Sequence, residues 1–375
     1  MFNYSMSKSK NILHIITTLD TGGTERTLEK CLVDSPQDYK HTIICLSGNG
    51  LIADKLNDMG HKVIFLHLEK IYLLPFNLLK LFILFFKLKP ISINAWMYHA
   101  CFISLLLMIT PFNRSKLVWN IRNTNLSTAL NPKTTILIAK LIAFFTPLTE
   151  CIIYNSHSAM HAHTSIGYKN KKSKIIPNGF DCDIYYPNKP KGIFNKKNSE
   201  ITTIGYISRY NAQKDPLTFL EAVSLCIKKN KNIHFLCFGI GLDNDNKQWK
   251  NKIKELNLEN HIDSFGITQN TIDCYSEFDF FTLSSIGESF PNVIGEALAC
   301  GVPIISTKAG DIENIIEGCG ISVKAQSPKA LSAGWLKAID LSLEQRQQLS
   351  SSCRMRALEK YDLKKINSLY WKCFI

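Results

Sequence analysis

Two glutamates, Glu288 and Glu296, stand on either side of the start of a predicted helix. An apolar run typical of a buried strand, FDFFTL, precedes them at Phe278–Leu283. Pro291 favours a first helical turn, and Gly301 favours the end of that helix before the apolar run VPIIS. The residues therefore predict a strand, a loop, a helix and a second strand, in that order.

This arrangement suits a phosphate and a polyol. The N–H groups of Asn292, Val293 and Ile294 would point out of the helix start, and such a start attracts anions. The carboxylates of Glu288 and Glu296 could accept hydrogen bonds from hydroxyl groups beside that anion. A phosphate and a polyol on one surface indicate a nucleotide-sugar. The alternative is an ordinary strand–helix unit whose glutamates face water.

Two cations, Arg209 and Lys214, follow another predicted strand within GYISRYNAQKDP, Gly205–Pro216. A helix is predicted to follow them, so both charges would converge at the carboxyl end of a strand. Cations there suit a leaving diphosphate, because its negative charge grows as the glycosidic bond breaks. The alternative is two solvated loop cations.

Two shorter segments also follow predicted strands. In DTGGTE, Asp20–Glu25, the glycines Gly22 and Gly23 allow a close backbone approach, and the next helix start favours phosphate. This segment is not G-x-G-x-x-G, which argues against a nicotinamide dehydrogenase. His99 lies at a strand-to-helix junction within NAWMYHA. Taken alone, a single histidine is more often structural than catalytic.

The sequence pattern that begins at Glu288 strongly resembles the two-glutamate motif of retaining glycosyltransferases of the family-4 type. It reads E-S-F-P-N-V-x-G-E-A-L-A-C-G-V-P. The resemblance runs from Gly22 to about Glu317. It implies an α/β fold of two doubly wound Rossmann-like domains facing a cleft, the GT-B fold. It also implies that Glu288 accepts hydrogen bonds from sugar hydroxyls and Glu296 from the ribose diol. Sugar or phosphate would be held by the main-chain N–H groups of Phe290, Asn292 and Val293.

The same resemblance implies roles for residues outside that stretch. Arg209 and Lys214 would clamp the leaving diphosphate, and His99 in W-M-Y-H-A would approach the donor sugar and phosphate. The implied catalytic set consists of four residues: His99, Glu288, Arg209 and Lys214. Donor phosphate or acceptor would meet Gly22 and Gly23, and main-chain contacts to the nucleotide base would come from Gly239, Gly266 and Ile267. Lys308 stands where many relatives have an acidic or small residue, which leaves the donor sugar open.

The length of 375 residues predicts two or three domains. Strands alternate with helices from residue 11 onward, which predicts parallel sheets covered on both faces. The polar segment Pro187–Asn198, with two prolines and a glycine, is the best linker. We predict an N-terminal acceptor-binding domain over 1–190, a nucleotide-sugar-binding domain over 199–361, and a C-terminal helix over 362–375 that packs back on the first domain.

The net charge of +13 is concentrated in the first half, where residues 1–190 hold 21 Lys and Arg against 11 Asp and Glu. Between Lys70 and Thr149 there is no acidic residue, and nine basic residues alternate with apolar runs. This mixture suits an anionic membrane surface better than nucleic acid, for which we find no recognisable module. None of the runs makes a good transmembrane span. The alternative is buried helices whose lysines reach outward.

The cysteines and histidines do not predict a metal site. The 12 cysteines fall singly in apolar runs, typical of small core residues in a reducing compartment. Residues 1–10 are polar and lack the apolar region of a signal peptide. The cluster HSAMHAH at His157–His163 has no obvious third ligand. Of two D-x-D segments, the one at 181–183 lies by the predicted linker and the one at 243–245 in a polar loop. Arg209, Lys214 and a helix start would already neutralise a phosphate. We therefore expect no metal and no cofactor besides the donor substrate.

The expected function is a metal-independent, retaining glycosyltransferase of the hexosyltransferase type. It would move a sugar from a nucleotide-sugar, UDP-linked by our prediction, to a lipid-linked glycan or similar acceptor in lipopolysaccharide, O-antigen or capsule synthesis. We expect it in the cytoplasm, peripheral on the inner face of the cell membrane. Two alternatives stay open: a GT-B-like sugar-nucleotide epimerase or phosphorylase, and a catalytically silent membrane-binding relative.

Overall fold

The computed structural model describes residues 10–20, 22–48, 50–111, 113–127, 131–188, 201–268 and 270–375. The chain forms two compact units. Unit 1 comprises the chain up to Gly179 together with Lys364–Ile375, and unit 2 comprises Phe180–Leu363. From residue 189 onward, the predicted linker Pro187–Asn198 lies outside the described residues.

Unit 1 contains a seven-stranded, all-parallel sheet with the order β3-β2-β1-β4-β5-β6-β7. Its strands are apolar along most of their length, as expected of parallel strands covered on both faces. The strand bounds are β1 Lys10–Ile16, β2 Tyr39–Cys45, β3 Lys62–Phe65, β4 Ser92–Trp96, β5 Lys116–Ile121, β6 Cys151–Tyr154 and β7 Lys174–Ile175.

Helices connect these parallel strands, because each crossover needs a segment long enough to return to the starting edge. Their bounds are α1 Gly23–Val33, α2 Leu51–Asp58, α3 Leu74–Leu88, α4 Met97–Met108, α5 Lys133–Ala143 and α6 His157–Thr164. Short 3-10 turns lie at Ile71–Leu73 and Thr146–Leu148. Within the described ranges, no helix combines the length and apolar character needed to cross a bilayer.

Unit 2 contains a six-stranded parallel sheet with the order β10-β9-β8-β11-β12-β13. The strands are β8 Thr202–Ile207, β9 Ile233–Phe238, β10 Ile262–Gly266, β11 Phe280–Leu283, β12 Ile304–Thr307 and β13 Gly320–Val323. The helices are α7 Pro216–Ile227, α8 Lys247–Glu255, α9 Thr271–Ser276, α10 Asn292–Ala299, α11 Ile312–Ile315, α12 Pro328–Ile339 and α13 Leu343–Arg356. A π-helical turn follows at Ala357–Tyr361. The predicted fold class, two doubly wound α/β units, is confirmed.

The first residues after Gly179 pack within unit 2, so the division falls earlier in the chain than residue 190. The Phe180 N–H donates to the Tyr361 carbonyl at 2.8 Å, and the guanidinium of Arg354 donates to the Cys182 and Tyr185 carbonyls at 2.9 and 2.7 Å. An added Cβ on Gly295 would lie 2.0 Å from the Phe180 ring. Helix α10 can therefore approach this ring only because residue 295 lacks a side chain.

The last helix, α14 (Leu363–Phe374), lies almost wholly in unit 1. Its Tyr370 and Phe374 rings pack on Trp96 at the end of β4, with centroid distances of 6.1 and 6.3 Å. The Asn367 amide donates to the Lys30 carbonyl at 2.9 Å. These contacts make the C-terminal helix part of the core of unit 1.

A pair of neutral histidines lies beneath this helix. The imidazole nitrogens of His14 in β1 and His41 in β2 are 3.1 Å apart, and the Trp96 indole N–H donates to the other His14 nitrogen at 3.4 Å. Burial lowers the pKa of His14 well below 6.5 and that of His41 to about 4. Both rings therefore stay uncharged at neutral pH, because burial disfavours the charged imidazole.

Candidate active site

The two-glutamate stretch forms the predicted strand–loop–helix–strand unit, β11–α10–β12. Gly301 ends α10 with a φ of +69°, a left-handed conformation that glycine adopts readily. One detail was predicted wrongly: Pro291 is the N-cap and not the first helical residue. As a result, the Ile294 N–H already donates to the Pro291 carbonyl at 3.2 Å, so it is not directed outward.

Lys214 and Glu288 form a buried ion pair at the carboxyl edge of this sheet. Only 14% of the Lys214 side chain and 8% of the Glu288 side chain are exposed. The Ser285 hydroxyl donates to the same Glu288 oxygen, Oε1, at 2.6 Å. The structure thus brings together two residues that sequence reasoning assigned to different parts of the donor. Sequence reasoning did not predict the contact between Lys214 and Glu288.

Local hydrogen bonds fix the position of Lys214. It ends a 3-10 turn, Ala212–Lys214, capped by the Asn211 side chain, which accepts the Lys214 N–H at 3.0 Å. The next residue, Asp215, has a φ of +48°, and its carboxylate caps α7 by accepting the Thr218 N–H at 3.2 Å. A non-glycine residue in the left-handed region stores strain that the surrounding bonds must hold, which is common at functional sites.

The loop after β8 and the loop after β11 are joined directly, because the two strands are neighbours in the sheet. The Gln213 carbonyl accepts the Ile286 N–H at 2.9 Å, and the Gln213 amide donates to the Gly287 carbonyl at 2.6 Å. These bonds bracket the ion pair on both loops. Arg209 also follows β8, but its side chain is exposed and contributes no hydrogen bond to the described residues.

Glu296 lies inside α10 and is only 6% exposed. The Tyr275 hydroxyl in α9 lies 3.0 Å from Glu296 Oε2 and 3.0 Å from the Val293 carbonyl oxygen. Burial first, and then the nearby Glu296 charge, raises the pKa of Tyr275 well above 10, so the hydroxyl stays a donor. Sequence reasoning missed Tyr275, since nothing in the spacing of α9 signals this contact.

Phe290 and Val293 have little side-chain surface for a ligand. The buried Phe290 ring packs on Phe180 and Tyr361, with centroids 6.1 and 5.3 Å away, and Val293 packs against the same hydrophobic core. Asn292 is the first helical residue. Their roles toward sugar or phosphate therefore stay predictions about main-chain atoms.

Gly239 and Gly266 follow β9 and end β10, both with positive φ, +126° and +68°. An added Cβ on Gly239 would lie 1.7 Å from the Ser208 carbonyl oxygen. The Gly239 N–H donates to the Gly266 carbonyl at 2.6 Å, and the Gly266 N–H donates to the Leu242 carbonyl at 3.1 Å. These N–H groups hold the loops to each other. Contact with a nucleotide base stays a prediction, for which the exposed Ile267 lies beside them.

In unit 1, Gly22 caps α1 and Gly23 begins it, as the double glycine predicts. The carboxylate of Glu25 folds back over Gly22, where an added Cβ would lie 2.3 Å from its Oε2 atom. The Thr18 hydroxyl donates to the other Glu25 oxygen at 2.6 Å. A carboxylate already lies at this helix start, which disfavours a phosphate there and favours an acceptor hydroxyl among the two predicted ligands.

His99 lies in the first turn of α4, two residues after Met97, which has a φ of +68°. The Met97 sulfur accepts the Arg122 N–H at 3.3 Å, which helps to hold the strained turn. His99 is half-buried, and this burial lowers its pKa below 6.5. The imidazole is thus neutral at pH 7 and can accept or donate a hydrogen bond.

No metal cluster of three or more His, Cys, Asp or Glu side chains occurs among the residues described. His163 of the HSAMHAH segment is buried: its Nε2 lies 2.9 Å from the Tyr98 hydroxyl and its Nδ1 lies 2.7 Å from the Ala159 carbonyl. This imidazole is therefore a core residue.

Two family sequence models match the chain. The one described as "Glycosyltransferase Family 4" matches residues 21–184, and the one described as "Glycosyl transferases group 1" matches residues 201–340. Each match falls in a different half of the chain, and together they include all the predicted site residues.

Two proteins with similar sequences are also named as glycosyltransferases. The chain is similar to an uncharacterized glycosyltransferase of Methanocaldococcus jannaschii, with 26% identity over 52% of this chain and 51% of the relative, about half its length. It is also similar to the capsular polysaccharide biosynthesis glycosyltransferase CapM of Staphylococcus aureus, with 26% identity over 76% of each chain.

Solved structures share the fold. Anabaena HepE, crystallised in complex with UDP, superposes with a TM-score of 0.82 at 20% identity, covering 96% of this chain and 98% of HepE. At that identity the similarity concerns the architecture alone. With both family matches and two parallel-sheet units of the GT-B kind, this chain belongs to the family-4-type glycosyltransferases and is a transferase.

Proposed function

We propose that this glycosyltransferase moves a sugar from a UDP-linked donor to a lipid-linked glycan, with retention of anomeric configuration and without a metal ion. The observation that carries the proposal is the buried Lys214–Glu288 pair on the joined loops of unit 2. A buried ion pair beside a helix start gives both a cation for diphosphate and a carboxylate for sugar hydroxyls.

The donor is bound by unit 2. Lys214 and the exposed Arg209 neutralise the diphosphate, while Glu296 accepts hydrogen bonds from the ribose diol. Tyr275 keeps the Glu296 carboxylate oriented toward its helix start. HepE was crystallised with UDP and also with UDP-glucose, which supports a uridine donor for this chain as well.

Transfer proceeds on one face of the sugar. The bond from the anomeric carbon to the diphosphate oxygen breaks as the acceptor oxygen forms its bond from the same side. The departing phosphate oxygen accepts the acceptor's proton, and Lys214 stabilises its growing charge. Glu288 accepts a hydrogen bond from the Ser285 hydroxyl, which suits a hydrogen-bond acceptor better than a nucleophile. His99 in unit 1 is neutral at pH 7 and can donate or accept a hydrogen bond.

The acceptor class follows from unit 1 and from the relatives. CapM is named for capsular polysaccharide biosynthesis, which supports a role for this chain in making a surface polysaccharide. A lipid-linked acceptor would lie at a membrane surface. We propose that the chain contacts an anionic membrane as a peripheral protein.

An apolar face on α3 supports this membrane contact. Four large apolar side chains recur there at helical spacing, Phe76, Leu79, Ile83 and Phe86, and Tyr72 lies in the 3-10 turn just before the helix. All five are between 50% and 75% exposed. Lys80, Lys87 and Lys89 flank them, and no acidic residue lies in α3. Apolar side chains beside lysines suit the boundary between acyl chains and anionic headgroups.

Nucleotide binding tests the donor site. UDP at about 100 times its dissociation constant should stabilise the fold by about 2.7 kcal/mol in EDTA, raising the unfolding temperature by several degrees. Glu296→Gln should weaken UDP binding by about tenfold or more, because a hydrogen bond to a charged acceptor is lost. Glu259→Gln, an exposed change in the same unit, is the control. No shift with UDP, or a shift only with added metal, would contradict the donor assignment.

Product analysis tests the reaction. With an α-linked UDP-sugar in EDTA, we expect the transferred or hydrolysed sugar to appear first as the α-anomer by NMR. Lys214→Met should slow turnover by about 100-fold, as loss of a transition-state charge contact does. A β-anomer would contradict retention. A UDP-sugar of changed ring stereochemistry, or a sugar phosphate formed only with inorganic phosphate, would identify an epimerase or a phosphorylase instead.

Vesicle sedimentation tests the membrane contact. Wild-type protein should bind vesicles that contain anionic phosphatidylglycerol and phosphatidylcholine more tightly than vesicles of phosphatidylcholine alone. High salt should reduce this difference in affinity. Phe76→Ser with Ile83→Ser should lower partitioning by tenfold or more, since each buried side chain is worth about 1.5 kcal/mol or more. Leu343→Ser with Met355→Ser, equally exposed in unit 2, should change little. Equal losses for both pairs would contradict a contact through α3.

A further inference from the structure

A groove of about 910 Å³ lies in unit 1 at the amino edge of the sheet, where β5 and β6 begin. Its volume is within the range typical of small-molecule sites. Five basic side chains line this basic groove: Arg114, Lys116, Lys169, Lys171 and Lys172. The predicted site residues of unit 1, Gly22 and His99, follow β1 and β4 and therefore lie at the opposite, carboxyl edge. The basic groove is thus separate from the candidate active site.

Most of the positive charge in the groove has no partner within the described part of the chain. Lys172 Nζ lies 2.7 Å from a Glu150 carboxylate oxygen, and Lys116 Nζ donates to the Ile375 carbonyl. The other three cations make no side-chain hydrogen bond or ion pair with the described residues. They are Arg114, Lys169 and Lys171. Among the described lining residues, Glu150 alone is acidic.

Helix ends at this edge explain only part of the charge. Helices α4, α5 and α6 all end here, because each of them returns the chain to the start of the next strand. A helix C-terminus carries roughly half a negative charge, so the three ends together offset about one or two positive charges. Glu150 offsets one more. Positive charge is left over, as expected of a groove that receives an anion.

Local hydrogen bonds fix the backbone that carries these cations. Asn113 Oδ1 accepts the Ser115 N–H at 2.8 Å, which holds the turn around the arginine. The Asn170 amide donates to the Thr149 carbonyl at 2.9 Å, and its oxygen accepts the Lys172 N–H at 2.6 Å. Both cationic segments are therefore ordered before a ligand arrives, which lowers the entropic cost of binding.

The composition of the groove suits a phosphate group. A phosphate carries up to two negative charges and three acceptor oxygens, enough to engage several cations at once. Met108 and Leu117 also line the groove, and the exposed side chains of Ile109, Phe144 and Leu148 lie on or next to its lining segments. These apolar groups leave room for an uncharged carrier of the phosphate.

We propose that the basic groove binds a phosphate group, carried by a lipid headgroup or by a soluble phosphate ester, through Arg114, Lys169 and Lys171. It is a second phosphate site, apart from the one proposed for the donor diphosphate. The inference goes beyond the proposed function, because none of the three cations belongs to the predicted donor or acceptor residues. It also gives a role to Arg114, a basic residue of the stretch without acidic residues that α3 does not carry.

The probes are sn-glycerol 3-phosphate and dihexanoyl phosphatidic acid, which carry the same phosphate monoester. They are titrated calorimetrically into the full-length protein below micelle-forming concentrations, with saturating UDP present to keep phosphate out of the donor site. We expect binding that weakens with salt. One variant that combines Arg114→Gln, Lys169→Gln and Lys171→Gln should bind at least tenfold more weakly, because three charge contacts are lost.

The control variant combines Lys250→Gln, Lys254→Gln and Lys337→Gln, three exposed lysines of unit 2. It removes the same charge and should leave the affinity for both probes unchanged. Phosphatidic acid bound tenfold more tightly than glycerol phosphate would identify a lipid headgroup, and equal affinities would identify a soluble ester.

No binding of either probe, or an equal loss in both triple variants, would overturn the proposal. The groove variant should bind UDP as the wild type does, which shows that its fold and donor site are intact. UDP binding by the wild type without any probe binding refutes only this inference.

Discussion

The buried ion pair between Lys214 and Glu288 is the interaction on which the candidate site depends. Charges of this kind persist in an interior only when each is paired and its remaining hydrogen-bonding positions are filled. Here Ser285 supplies a further bond to Glu288, and the Gln213 bonds between the two loops hold the partners together. The parallel order of β8 and β11 is what brings these loops side by side.

The pair also implies a change of partners during the reaction. A diphosphate offers Lys214 two negative oxygens, a stronger partner than one carboxylate. Lys214 would then leave Glu288, whose freed oxygen could accept a hydrogen bond from a sugar hydroxyl. Donor phosphate and donor sugar would thus be recognised together by a single rearrangement.

Much of this could be predicted from sequence, and most of the misses share a physical cause. Alternating strands and helices gave the fold class, and Glu288, Lys214 and Gly301 were recognised from local motifs. Contacts between distant segments were not: the Lys214–Glu288 pairing, the Tyr275 bond to Glu296 and the packing of Phe180 on Gly295 depend on tertiary structure. The carboxylate of Glu25 over Gly22 was missed for a different reason, since a motif does not fix a rotamer.

The affinity of UDP for a Glu288→Gln variant tests this account most directly. Glutamine keeps the shape of Glu288 but removes the charge that competes for Lys214, so calorimetry in EDTA should give UDP binding severalfold tighter than for the wild type. Glu259→Gln, an exposed change in unit 2, should leave UDP affinity unchanged. Unchanged or weaker binding of UDP to Glu288→Gln would contradict a diphosphate that takes Lys214 from Glu288.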